Sequence, residues 1–66
     1  MIKTGNCYEM NFTCYGKVIS FYVRSKDSFG NIEARICGSE VIFNFNENEL
    51  YTRELATLIQ IDCDNC

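Results

Sequence analysis

Histidine, proline and tryptophan are all missing from this chain of 66 residues. Without histidine the commonest general base is absent, and with it every Ser–His or Cys–His nucleophile. Without proline, one of the usual devices for blunting a strand edge is lacking. Long apolar runs are missing too. They reach only a few residues, against the roughly 20 needed for a membrane-crossing helix. The opening Met1-Ile2-Lys3-Thr4-Gly5-Asn6 leads into an alternating segment, not into the continuous apolar stretch of a signal peptide. The expectation is an intact cytoplasmic product with no membrane association. Glycines stand singly, at Gly5, Gly16, Gly30 and Gly38, so there is no phosphate-cradling loop. These absences predict a protein that is not an enzyme and carries no cofactor.

Basic charge is also scarce. Six Lys and Arg stand against nine Asp and Glu, a net charge of −3. Residues 1–45 carry a net +1 and residues 46–66 a net −4. A nucleic-acid footprint should be basic, so nucleic acid is disfavoured as a partner. A single-strand-binding module that stacks bases on Tyr15 and Tyr22, beside Lys17, Arg24, Lys26 and Arg35, is therefore only the second reading. Glu9, Glu33 and Glu40 would share its surface.

What is present is enough for a folded domain: 47% hydrophobic and 23% charged residues. The length allows one domain, 1–66. A domain of this size buries only about 60% of its unfolded surface. Small domains of this kind lean on disulfides, metal or self-association.

Period-two alternation predicts strands over about 7–14, 17–24, 32–37 and 40–45. Tyr8, Met10, Phe12 and Cys14 share one face, and Ile19, Phe21 and Val23 share another. A two-residue turn at Tyr15-Gly16 would pair Phe12 with Ile19 and Met10 with Phe21. A Gly38-Ser39 turn would pair Ile36 with Val41, Ala34 with Phe43 and Ile32 with Phe45. Residues 46–60 read as a helix, with Asn46 as N-cap and Glu47 and Glu49 in the first turn. Leu50, Tyr51, Leu55, Leu58, Ile59 and Ile61 would form its apolar face. The expected fold is α+β: a four-stranded antiparallel sheet, ββββα, with one face covered by the helix and the other open.

Five cysteines, an odd number without a secretion signal, predict free thiols rather than a disulfide framework. Cys63-x-x-Cys66 is half of a zinc site. Cys7 and Cys37 could supply the other half, but no second close pair exists. The expectation is therefore a loose reduced tail without metal.

Protein binding remains. Tyr15, Val18, Tyr22 and Ile42 give the open face some apolar content, and Phe29 tips a loop. Glu47, Glu54, Asp62 and Asp64 form an acidic end suited to a basic surface on a host or cognate protein, such as one that handles nucleic acid. The reading is a small acidic inhibitor or modulator that occupies a partner's functional site. Unguarded edges predict a homodimer. A zinc-stabilised adaptor is the third reading. Frequent Asn and Ile with only two alanines resemble the usage of AT-rich genomes, including many phages and mobile elements.

Overall fold

The computed structural model describes residues 2–12, 16–53 and 57–66, with the backbone alone at 51–53 and 65. Among these residues five strands are present: β1 Cys7–Phe12, β2 Lys17–Lys26, β3 Asn31–Ile36, β4 Ile42–Asn46 and β5 Thr57–Ile61. One helix, α1, runs Glu47–Arg53, and a 3-10 turn covers Cys63–Asn65. The strands form one antiparallel sheet in the order β4-β3-β2-β1-β5.

The expected α+β class and antiparallel sheet are present, but the 46–60 helix stops early and 57–61 is a fifth strand. Asn46 does cap α1, its Oδ1 accepting from the amides of Asn48 at 2.9 Å and Glu49 at 3.2 Å. Thr57-Leu58-Ile59-Gln60-Ile61, however, is rich in β-branched residues and alternates with period two. The outer edge of β1 offers it a ladder, and it pairs there from Cys7–Ile61 to Asn11–Thr57. Leu58 packs against the core from this strand. Ile59 and Ile61 fall on the opposite face, where a helix would not have put them. The helix positions Glu54 and Leu55, and the side chain of Tyr51, lie outside the described residues.

The β1–β2 register also differs. Phe12 sits opposite Lys17, Met10 opposite Ile19 and Tyr8 opposite Phe21, two residues away from the expected pairing. A shift of two keeps every side chain on its face, so the hydrophobic pattern cannot distinguish the registers. Four residues separate β1 from β2, and the Gly16 amide donates to the Phe12 carbonyl at 3.0 Å. Cys14 and Tyr15 lie outside the described residues. The β3–β4 register is as expected at Ala34–Phe43 and Ile32–Phe45, but the ladder ends at Arg35–Ile42, and Val41, expected on the inward face opposite Ile36, lies before β4 and is exposed. Here Gly38 is the third residue of an Ile36–Ser39 turn, with φ +74°.

The core lies on one face of the sheet: Tyr8, Met10, Phe21, Val23, Ile32 and Ala34, covered by Ile2 and Leu50. The Phe21 ring meets those of Phe43 and Phe45 edge-on at 5.6 and 5.5 Å. β2 holds an irregularity between Val23, which pairs with Ala34, and Ser25, which pairs with Glu33. The extra residue reverses the facing of Ser25 and Lys26 beyond it. Lys26 therefore joins Ile32 on the core face, where its Nζ lies 2.6 Å from Glu47 Oε2 and donates to the Ile2 carbonyl at 3.0 Å.

Candidate functional site

Three features remain once the core is accounted for: the sheet face away from α1, the cysteines at one end of it, and the outer edge of β5. Strand register sets a row across that face: Ile42, Arg35, Tyr22, Cys7 and Ile61, from β4 to β5. A second row holds Ser20, Glu9 and Ile59, and a third Val18, Asn11 and Thr57. Val18, Ile42 and Ile59 are exposed, at 53%, 38% and 60%. Val18 and Ile42 therefore stand in solvent as the sequence suggests, although their places on separate strands and rows keep them from forming one patch.

Three of the basic residues that the sequence offered to nucleic acid are occupied. The Arg35 guanidinium lies 5.8 Å from the centre of the Tyr22 ring and donates to the Ser39 carbonyl at 2.9 Å. Arg24 reaches Glu33 at 3.6 Å, and Lys26 is turned into the core toward Glu47. Tyr22 is half-buried.

The acidic end is smaller than the sequence suggests. Glu47 is buried, because it is the partner of Lys26 and also accepts from the Ile2 amide at 3.4 Å. It offers nothing to a binding partner. Glu54 lies outside the described residues. Asp62 and Asp64 are exposed, and Asp62 is also structural, its Oδ1 accepting from the Asp64 amide at 3.1 Å to cap the 3-10 turn.

The cysteines depart furthest from expectation. Cys7 is bonded to Cys63, with Cα atoms 5.2 Å apart, and Cys37 to Cys66, at 4.4 Å. The tail is thus not loose: it runs from the end of β5 to the end of β3, over the face that should have been open. Cys7 is fully buried and Cys37 half-buried as a result. The sheet brings Cys7 and Cys37 to one end, a proximity that sequence separation hides. A concavity of about 620 Å³ adjoins the Cys7–Cys63 bond, lined by Asn6, Gln60, Ile61 and Asp62.

The outer edge of β5 is the other notable surface. Among the described residues Thr57–Ile61 has a neighbouring strand, β1, on one side only, and it carries no charge and no proline. Sequence reading assigned these residues to a helix and so missed the edge. Its alternation was the available signal. No known protein family, curated protein or solved structure matches the chain.

Proposed function

We propose that this chain is a small non-catalytic protein-binding module, an inhibitor or modulator that occupies a partner's functional site and works as a homodimer. The observation that carries the reading is the β5 edge. Edge strands are normally guarded by charge, proline, bulges or cover. β5 has neither charge nor proline, and its central residue, Ile59, is 60% exposed. Pairing of β5 with β5 of a second copy about a two-fold axis centred on Ile59 would continue the sheet, each chain offering the other the same patch. The exposed Val18 and the carboxylates of Asp62 and Asp64 then remain for a basic partner surface, where charge speeds encounter more than it deepens affinity.

The engagement of Arg24, Lys26 and Arg35 with Glu33, Glu47 and Tyr22 supports protein over nucleic acid as the partner. Bases would have to displace Arg35 to stack on Tyr22. The test is affinity capture from host lysate with wild type and with Val18→Lys. One protein species should co-purify in stoichiometric amount with wild type, in competition with that protein's own ligand, and be depleted with the variant. Nucleic acid that survives moderate salt, with no such protein, would overturn the proposal.

A further inference from the structure

The four bonded cysteines come from three parts of the chain. Cys7 opens β1, Cys37 follows β3, and Cys63 and Cys66 flank the last turn. In that turn the Cys66 amide donates to the Cys63 carbonyl at 3.0 Å, the i to i+3 bond of 3-10 geometry. Residues three apart eclipse one another in such a turn, so both cysteines project from the same side. The ladder fixes the other two. Cys7 lies opposite Tyr22, and the Cys37 amide donates to the Ser20 carbonyl at 2.9 Å. The sulfurs of Cys7, Cys37 and Cys66 all lie within 4.8 Å of one another, and that of Cys63 is bonded to Cys7. Four sulfurs therefore occupy one small volume: a C-x-x-C on a capped turn facing two cysteines held by a sheet.

We propose that the reduced chain holds one zinc ion through Cys7, Cys37, Cys63 and Cys66 as a tetrahedral tetrathiolate. Each disulfide takes up two electrons and two protons from a dithiol or phosphine reductant, giving four thiols. Zinc then displaces four protons and binds four thiolates. Zn–S bonds of about 2.3 Å place the sulfurs about 3.8 Å apart. The Cys7 sulfur already lies within 4.8 Å of those of Cys37 and Cys66. Within each pair the sulfurs must part, and the terminal turn, which carries one member of each, supplies that movement while the sheet stays fixed. The two states are alternative latches with one effect: each ties the end of β5 across the sheet. All-thiolate tetrahedral donation selects zinc over hard cations such as Mg²⁺ and Ca²⁺.

The test uses the full chain, reduced and kept anaerobic, loaded with zinc and passed through gel filtration. Elemental analysis should give one zinc per chain. Alkylation followed by peptide mass spectrometry should modify Cys14 alone, and Cys63 and Cys66 only after chelation. Because burial could shield Cys7 without metal, the exposed Cys63 is the diagnostic site. Cobalt in place of zinc should give the thiolate charge-transfer bands and intense visible bands of a tetrahedral tetrathiolate. Cys14→Ser should bind metal as wild type does. Reduced protein that retains no zinc, zinc-loaded protein alkylated at Cys63 or Cys66, or metal loss in Cys14→Ser would each overturn the proposal.

Discussion

Replacing Lys26 by Met tests the least conspicuous element of the core. Lys26 reaches the core face only because of the extra residue in β2, and its ammonium meets a Glu47 carboxylate whose side chain is 5% exposed. Met keeps much of the Lys stem and removes the charge, along with the hydrogen bond to the Ile2 carbonyl. Glu47 is then left with the long Ile2 contact at 3.4 Å. Removing one partner of a buried pair costs about 3–5 kcal/mol, because the remaining charge is uncompensated. Lys26 is 24% exposed on its side chain, so solvent moderates the loss and the lower end, about 3 kcal/mol, applies. For a domain of this size that corresponds to a fall of roughly 20 °C in Tm. Urea and thermal unfolding followed by circular dichroism, with disulfides intact, measure it. Lys26→Met with Glu47→Leu should recover most of the loss, since an apolar pair carries no stranded charge. A single variant within about 1 kcal/mol of wild type would refute the buried-pair reasoning.

Gly30→Ala should cost the roughly 1–2 kcal/mol of a left-handed residue at φ +83° and, because its Cβ would lie 2.8 Å from Asn48 Nδ2 and push that amide aside, also the hydrogen bond from Asn48 to the Phe29 carbonyl. Gly38→Ala, with nothing within 4 Å of the added carbon, should show the backbone cost alone in the same denaturant titration. The Asp27 carboxyl titrates below its ordinary value, held down by the Asn31 side chain first, then by the Asn31, Phe29 and Gly30 amides. Its contribution is therefore present above the unfolded carboxylate pKa and lost as pH falls through the depressed folded value. Carboxyl-detected NMR should find that midpoint, and Asn31→Ala should raise it. Reduction with chelator present should unfold the protein. The chain-entropy estimate is about 4 kcal/mol for each bond at separations of 56 and 29 residues. That sum is comparable with the whole stability of such a domain, roughly 3–10 kcal/mol. Retained native circular dichroism under those conditions would contradict it.

Alternation identified four strands and their inward faces because one face of each is buried, so Phe21, Val23, Ile32 and Ala34 had to fall together. It could not identify the β1–β2 register, since a two-residue slip leaves the pattern unchanged and only the loop decides. The segment 57–61 misled because Leu58, Ile59 and Ile61 fit an apolar helix face as well as a strand, and the free edge of β1 decided between them. Ile2 in the core and Glu47 beneath it were hidden for a related reason: the β2 irregularity that turns Lys26 inward has no one-residue signature. Cysteine pairing was least legible. An odd count argues from compartment, whereas proximity of Cys7 and Cys37 to the last turn follows from topology.

The central claim is that β5 is a pairing edge, and sedimentation equilibrium at micromolar concentration tests it directly. Wild type should give twice the 7.6 kDa chain mass, and Ile59→Lys, a change at an exposed position, should give the chain mass itself with an unchanged circular dichroism spectrum. A wild type that stays at 7.6 kDa at high concentration, or a dimer untouched by lysine at the centre of β5, would contradict the account.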